Sequence, residues 1–323
     1  MLGAVEANLH LSTMQLITDD RVIVERNSVV VRAALTPEEF EQAFAAGRSL
    51  TLEQALQDLL RPDRNGAEKM FVVTPTAAPL RLCALGPARV SSGERTLTSW
   101  PYARVKELLF YLMVQPPRTK AQIGLALWPE ASPAQLRNSL STTLYHLRRV
   151  LGHPDWIIFT DDHYAFNRAR AYWFDVEAFE THLAQAAQWR ATMPEQALVT
   201  LQAAVNLYQG DFVEDLLEGE WFLLRREELR RKYLDALLNL GQLLFAREDY
   251  IRAAETYRRA IEKDEVLEVA YRELMRCYAR SGERGQALRQ YQSLTHIMRD
   301  EVGSLPAPES VALYDRLRRG DAV

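Results

Sequence analysis

The spacing of apolar residues changes twice along the chain and divides it into three stretches. Near the N-terminus, the runs TPEE at 36–39 and TLEQ at 51–54 each combine a threonine with a glutamate or glutamine three positions later, ahead of an apolar stripe. This capping pattern predicts two short helices. The following residues up to 79 mix prolines with polar and small residues, which is the composition of a linker.

The middle stretch opens with short apolar runs that have the period of strands and predict a small antiparallel meander, after which helical spacing returns. Capping boxes at 119–122 (TKAQ) and 132–135 (SPAQ) then predict a short helix and a long helix that ends at Gly152. Two further apolar runs flank Asp161 and Asp162 and predict a β-hairpin. This order of strands, helix, short helix, turn, long helix and hairpin is that of a winged helix-turn-helix.

The third stretch is helical and repeats itself. A shift of 34 residues, the period of tetratricopeptide repeats, brings apolar and aromatic positions into register. The matched pairs are Leu237 with Tyr271, Leu240 with Leu274, Leu244 with Tyr278, Ala253 with Ala287, and Tyr257 with Tyr291. Residues 173–232 have related spacing out of register, which indicates irregular helical hairpins.

The whole pattern predicts a mainly α protein with a small β component. Its predicted parts are a helical N-terminal segment (1–61), a linker (62–79), a winged helix-turn-helix (80–170) and an all-α, tetratricopeptide-like repeat domain (171–323).

Composition excludes several classes of protein. With 48% hydrophobic and 25% charged residues, the chain is average for soluble globular proteins, and no stretch approaches the ~20 apolar residues of a membrane span. Neither the two cysteines nor the six histidines show metal-ligand spacing, so we expect no metal and no other cofactor. Phosphate-loop, hydrolase and kinase motifs are absent, so we predict that the protein is not an enzyme. The first residues lack a signal-peptide pattern, so we expect a cytoplasmic protein with no membrane partner.

The net charge of −4 hides an uneven distribution. Residues 80–168 carry 11 Lys and Arg against 6 Asp and Glu, whereas residues 1–79 carry 7 against 11 and residues 169–323 carry 21 against 26. The predicted winged helix is therefore the basic part of the chain. An excess of this size supports a nucleic-acid partner, although many proteins that bind no nucleic acid match it.

The predicted long helix has one apolar stripe for the core and an opposite face, from Asn138 to Arg149, that is polar or basic without an acid. In a helix-turn-helix reader, such a face enters the major groove while basic side chains and helix N-termini hold phosphates. Taken alone, the pattern fits an ordinary solvated surface equally well. The winged-helix order around it favours the DNA-binding interpretation.

Longer runs in the chain resemble a known family. LRLCALGPARV, YARVKELLFYL, TKAQIGLALWPE and AQLRNSLSTTLYHLRRVLG are similar to the OmpR-type winged helix of the Streptomyces antibiotic regulatory protein (SARP) family of transcriptional activators. WFDVEAFETHL, LYQGDFVEDL and DEVGSLPAPESVALYDRL resemble the bacterial transcriptional activator domain that accompanies it. In addition, LGAVEANL and LTPEEFEQAFAAGRSLTLEQALQDLL resemble the end of the helical repeat arm in large signal-transducing ATPases.

The resemblance implies a set of DNA-contacting residues. These are Thr119, Lys120, Arg137, Asn138, Ser141, Thr142, Tyr145, His146, Arg148, Arg149 and His163. Asn138 and Arg149 are able to make bidentate contacts to base edges. Thr119 and Lys120 are expected to hold phosphate, since the start of a helix offers free N–H groups. Arg148 can serve either a phosphate or an internal partner.

The resemblance further implies a transcriptional regulator, expected to be an activator. Its partners would be double-stranded promoter DNA and RNA polymerase, with a homodimer or tandem assembly on the DNA. One departure concerns the wing tip, which is usually glycine-rich and often basic in this family but is Asp161-Asp162 here, so a minor-groove role is unfavourable. A second interpretation stays open: a protein-interaction scaffold, or the output module of a signal-transducing ATPase system, that does not read DNA.

Overall fold

The computed structural model describes Thr36, residues 79–93, residues 95–97 and residues 100–323. The two predicted N-terminal helices, most of the predicted linker and the stretches that resemble an ATPase repeat arm lie outside the described residues. The described residues from 79 onward belong to one compact unit, and the following description concerns that unit.

The winged-helix part contains seven strands and three α-helices in its described residues. In chain order they are β1 (Leu80–Cys83), β2 (Arg89–Ser92), β3 (Arg95–Leu97), α1 (Ala103–Val114), β4 (Arg118–Thr119), α2 (Lys120–Leu127), α3 (Pro133–Leu151), β5 (Ile157–Thr160), β6 (His163–Phe166) and β7 (Tyr172–Phe174). A 3₁₀ turn over Pro154–Trp156 joins α3 to β5. The predicted meander, helix-turn-helix and hairpin are therefore all confirmed.

The strands form two sheets, with the orders β3-β2-β1-β7 and β4-β6-β5. The meander and the hairpin are antiparallel, as the sequence predicts. Strand β7 was not predicted, and it pairs in parallel with β1, where Leu80 lies opposite Tyr172 and Leu82 opposite Phe174. Because β7 is only three residues long and runs directly into a helix, its sequence carries no alternation long enough to signal a strand.

Helix α1 lies at the centre of the winged-helix part. The sequence predicts one apolar face for it, yet every residue from Glu107 to Met113 is buried. The additional faces are covered from the C-terminal side of the chain, because Phe110 packs on Phe174 and Tyr111 packs edge-on against Trp221, with a ring-centroid distance of 5.5 Å. The helical part of the molecule thus contributes to the core of the winged helix.

The rest of the described chain is helical. It contains α4 (Asp175–Trp189), α5 (Pro194–Leu207), α6 (Leu223–Ala246), α7 (Tyr250–Lys263), α8 (Glu268–Arg280), α9 (Arg284–Ile297), a π-helical turn (Met298–Val302) and α10 (Pro308–Arg319). The helices pack as consecutive antiparallel hairpins, so the predicted tetratricopeptide-like, all-α architecture is confirmed.

The 34-residue repeat predicted from the sequence has a structural counterpart. The hairpin of α6 and α7 is followed by the hairpin of α8 and α9. The last residues of α8 and α9 lie 34 positions after the last residues of α6 and α7. The matched small residues Ala253 and Ala287 are both fully buried. In the first hairpin, a Cβ atom on Gly241 would lie 2.5 Å from Cζ of Tyr257, so the absence of a side chain allows the ring to enter. The glycine of the leucine-glycine pair is therefore needed for the two helices of the hairpin to pack.

The winged helix and the helical part are joined through the first residue of α4. Asp175 is 3% exposed, and its carboxylate accepts hydrogen bonds from the backbone N–H groups of Ala84, at 2.8 and 2.9 Å, and Leu85, at 2.9 Å. Burial raises the pKa of Asp175 to about 6, although these N–H groups favour the charged form. The carboxylate thus accepts hydrogen bonds from the backbone N–H groups that directly follow strand β1.

A second junction is formed by the segment between α5 and α6. It pairs with the turn after β1, since Leu85 bridges Phe212 and Gly86 donates its N–H to the carbonyl of Asp211. Arg226 holds this segment from α6 by donating to the carbonyls of Phe212, Val213 and Leu216 at 3.0 to 3.3 Å. One continuous hydrophobic cluster runs from Leu80 to Cys277 as a result.

Replacing Gly241 by alanine tests the packing of the repeat. The added methyl group would collide with the Tyr257 ring, so we expect Gly241→Ala to lower the free energy of unfolding by about 1 to 3 kcal/mol. The matched control is Gly285→Ala, where the nearest atom lies 3.8 Å from the new Cβ, and which should be neutral or slightly stabilising. Urea unfolding measures both, and equal effects of the two substitutions would contradict the packing account.

Asp175 makes the stability of the junction dependent on pH. Its pKa in the folded state, about 6, lies above the ordinary value of 3.8, so its contribution is fully present below about pH 4 and is lost as the pH rises through about 6. The free energy of unfolding of the wild-type protein, relative to that of Asp175→Asn, should therefore fall by roughly 3 kcal/mol between about pH 4 and pH 6. Above about pH 6 the difference between the two proteins should stay constant. Urea unfolding of both proteins between about pH 4 and pH 7 measures this, and a constant difference would refute the effect.

Candidate nucleic-acid interface

The helix-turn-helix is formed by α2 and α3, and both helices begin as the sequence predicts. Gln122 N–H donates to Oγ1 of Thr119 at 3.3 Å and Gln135 N–H to Oγ of Ser132 at 3.4 Å, each within a complete capping box. The two helices touch closely, since a Cβ atom on Gly124 would lie 2.3 Å from a methyl carbon of Leu136. This contact fixes α3 against α2.

The face of α3 that the sequence assigns to DNA is open to solvent. All six residues predicted from the polar face are exposed: Arg137, Asn138, Ser141, Thr142, Tyr145 and Arg149. The opposite face is in the core, where Leu140, Leu144, Leu147 and Leu151 are buried. Asn138, Thr142, Tyr145 and Arg149 follow one another at steps of four, three and four residues, so they form a straight stripe about 16 Å long. Among the residues that the structure describes, the six share one accessible surface.

The charge on this surface is positive. Helix α3 contains no Asp or Glu along its 19 residues. In the described part of the chain, no carboxylate lies within ion-pair distance of Arg137 or Arg149, whereas several arginines of the helical part are paired with acids. Both guanidinium groups are consequently available to an anionic ligand.

The start of α2 is occupied in part by its own predicted capping box. The N–H of Thr119 donates to Oε1 of Gln122 at 3.0 Å, and the Thr119 hydroxyl accepts from Gln122 in return, so the capping box uses two groups expected to be free for phosphate. Lys120 is half-buried, and the described residues place no carboxylate within ion-pair distance of its ammonium group. Thr119 is also the strand partner of His163, which brings the start of α2 beside the base of the wing.

His146 lies at the edge of the exposed face. It is half-buried between two aromatic rings, edge-on to Tyr102 at 5.7 Å and to Tyr145 at 5.4 Å. Tyr102 itself hydrogen bonds to the buried Thr143 through their hydroxyl groups at 3.0 Å. Sequence reasoning missed Tyr102, which supports the base of this aromatic group, because the residue precedes its helix and belongs to no apolar stripe.

Arg148 has an internal partner, which is one of the two roles left open by the sequence. Its guanidinium donates to the backbone carbonyl of Ile157 at 3.1 Å, and its Nε atom is buried. The bond joins the last turns of α3 to the first residue of the wing. Arg148 therefore orients the wing, whereas its neighbour Arg149 points to solvent.

The wing is a tight hairpin with an acidic tip. Asp161 and Asp162 both have positive φ, at 50° and 61°, as a two-residue turn between strands requires. The described residues bring no cation within ion-pair distance of either carboxylate. His163 is half-buried and its Nδ1 lies 2.6 Å from the carbonyl oxygen of Asp161, so the ring is engaged at the turn. These two acids would face phosphates unfavourably, as the sequence indicates.

In the described part of the chain, no group of three or more His, Cys, Asp and Glu side chains has the arrangement of a metal site. The same residues include no helix that is long and apolar enough to cross a membrane.

Comparisons with known proteins agree with this architecture. The family model described as "Bacterial transcriptional activator domain" matches residues 174–318. The regulatory protein AfsR of Streptomyces griseus is 27% identical over 259 residues, which cover 77% of this chain and 26% of that protein. Among solved structures, Mycobacterium tuberculosis EmbR, in complex with a low-affinity phosphopeptide, matches with a TM-score of 0.64 and 21% identity over 76% of this chain and 66% of EmbR.

Residues 174–318 thus match the model of the bacterial transcriptional activator domain, and they follow a winged helix. The combination of these two parts and the similarity to AfsR confirm the resemblance to the SARP-type regulators. The likeness to EmbR shows the shared fold. The chain spans about a quarter of the length of AfsR, so the activity and partners of the whole relative are considered only as proposals below.

The different surroundings of Arg148 and Arg149 lead to a stability prediction. Arg148→Ala leaves the Ile157 carbonyl without its side-chain donor, so we expect the free energy of unfolding to fall by about 1 to 3 kcal/mol. Arg149→Ala should change it by less than about 0.5 kcal/mol, because that side chain is exposed. Thermal or urea unfolding compares the two variants, and an equal loss in both would show that Arg148 has no structural role of its own.

Proposed function

We propose that this protein is a transcriptional regulator, acting as an activator, that binds double-stranded promoter DNA through the exposed face of α3. The observation that carries the proposal is the acid-free stripe of Asn138, Thr142, Tyr145 and Arg149 on the second helix of a helix-turn-helix. In that position a helix is presented to the major groove, which is wide enough to admit it.

The chemistry of the stripe supports direct base reading. Asn138 can make two hydrogen bonds to an adenine edge and Arg149 two to a guanine edge, while Thr142 and Ser141 supply hydroxyl groups and Tyr145 an exposed ring. Arg137, near the start of α3, and Lys120, at the start of α2, would contact phosphate. With two N–H groups at the start of α2 used by the capping box, Lys120 is the principal phosphate contact there.

The wing has a different role in this proposal. Asp161 and Asp162 keep the hairpin tip away from the phosphate backbone, so the α3 face carries the contact, and His163 approaches DNA only from the base of the wing. The wing is instead held in place against α3 by the bond of Arg148 to Ile157.

The helical part, within residues 171–323, would make the protein contacts of an activator, including contact with RNA polymerase. Its close attachment to residues 80–170 supports this division, since Asp175 and Trp221 contact the winged-helix part directly. Tandem or dimeric assembly on DNA would then place several such surfaces beside one promoter.

Salt dependence tests the DNA-binding proposal. Binding of the full chain to DNA from its own upstream region should weaken steeply with salt, because each phosphate contact releases counterions. Lys120→Ala should reduce the slope of log K against log salt by about one unit for every sequence tested. The control is Arg289→Ala, an exposed arginine of α9, which should leave the slope unchanged. Fluorescence anisotropy measures both, and no binding at low salt would refute the proposal.

Two substitutions in the stripe distinguish a DNA reader from a protein-interaction scaffold. Asn138→Ala and Arg149→Ala should each cost about 1 to 3 kcal/mol of discrimination between the preferred site and a mutated site, while folding stays intact. Competition binding with single-base variants of the site measures this loss. A scaffold would show no site preference to lose.

A further inference from the structure

A second surface of the molecule combines exposed leucines with acids. Three leucines at the start of α6 and just before it are strongly exposed: Leu217 at 91%, Leu223 at 49% and Leu224 at 88%. The acids of the same segment are exposed as well, namely Glu214, Glu218, Glu220 and Glu227. We call these seven residues the leucine-glutamate surface. Exposed apolar groups with a polar rim are typical of protein interaction sites.

The surface has a defined conformation. Arg226 holds Phe212, Val213 and Leu216 by their carbonyl groups, which fixes the segment against the first turns of α6. In the same segment, Phe222 is buried and Trp221 packs on Phe212 and Phe222. The aromatic residues of this segment therefore belong to the core, and the leucines do not.

The segment that carries the surface is also acidic. Asp215 pairs with Lys106 of α1, but in the described part of the chain none of the four glutamates of the surface has an ion-pair partner. The only cations between residues 212 and 228 are Arg225 and Arg226. Arg226 is engaged by backbone carbonyls, and Arg225 forms ion pairs with Glu180 and Glu228. Neither neutralises the glutamates of the leucine-glutamate surface, so any ligand meets apolar side chains surrounded by negative charge.

We propose that the leucine-glutamate surface binds a basic segment of a partner protein that carries apolar side chains. Charge complementarity selects this occupant, because DNA and anionic lipid would be repelled. A second copy using the same surface would set glutamates against glutamates. Residues 1–79 of this chain carry 7 basic against 11 acidic residues and are a poor match in charge. The surface locates the protein contact of the proposed activator, and in that respect it rests on the proposed function.

Synthetic peptides provide the probe. Two labelled peptides of 18 residues, one with leucine and lysine at helical spacing and one with glutamate in place of each lysine, are titrated with the full chain in fluorescence anisotropy. The lysine peptide should bind at least tenfold more tightly than the glutamate peptide. Equal binding of the two, or no binding of either, overturns the proposal.

Paired variants locate the binding. Leu217→Ser with Leu224→Ser should weaken lysine-peptide binding at least tenfold, whereas Leu305→Ser, at a leucine 75% exposed elsewhere in the helical part, should not. Glu218→Gln with Glu220→Gln should weaken binding and reduce its salt dependence. The matched control, Glu255→Gln with Glu283→Gln, removes two other exposed acids and should have no effect. Equal losses in test and control variants overturn the proposal.

Two further measurements distinguish partner binding from self-association, and failure of this proposal from failure of the proposed DNA binding. Sedimentation velocity that shows a dimer of the full chain, dispersed by the paired leucine substitutions, would assign the surface to a second copy and overturn the proposal. Promoter-DNA binding by the paired leucine variant should equal that of the wild-type protein. Since peptide binding requires no DNA, a wild-type chain that binds peptide but not DNA would refute the proposed function alone.

Discussion

The side chain of Asp175 satisfies the backbone where strand β1 ends, and the arrangement of the two parts of the molecule depends on it. A strand that leaves its sheet presents N–H groups without partners, and in a buried place each such group costs about 1 to 3 kcal/mol. Here the partners come from a carboxylate 90 residues further along the chain. Because Asp175 is also the first residue of α4, the bond fixes the start of the helical part on the winged-helix sheet.

The position of α3 follows from this arrangement through a series of packed contacts. The sheet and the helical part enclose α1, α1 carries Leu108 and Leu112 into the core beside the inner stripe of α3, and Gly124 admits Leu136 at the turn. Because the apolar stripe of α3 is buried, the polar face on the opposite side of the same helix has to face solvent. The residues proposed to contact nucleic acid are therefore exposed as a consequence of how the apolar residues pack.

Local signals predicted the elements of the fold well. Capping boxes at Thr119 and Ser132, the two-residue turn at Asp161 and the 34-residue period depend on neighbouring residues, and all are present in the structure. What the sequence could not predict depends on residues far apart. Strand β7, the full burial of α1 and the internal bond of Arg148 become visible only when distant segments meet, since a three-residue strand or a single arginine has no period of its own. The exposed face of α3 and the capping box of Thr119 were both predictable from their patterns, but the box occupies N–H groups that were also expected to hold phosphate.

The parallel pairing of β7 with β1 has a consequence for how the molecule can be divided. A fragment that ended before Tyr172 would leave β1 as an edge strand, with Leu80 and Leu82 beside an open row of backbone donors and acceptors. Uncovered edges of this kind associate with the edges of other molecules, which favours aggregation. The winged helix is for this reason not an autonomous module, because its last strand is supplied by the polypeptide that continues into the helices. A soluble fragment of it would have to include the first residues of the helical part.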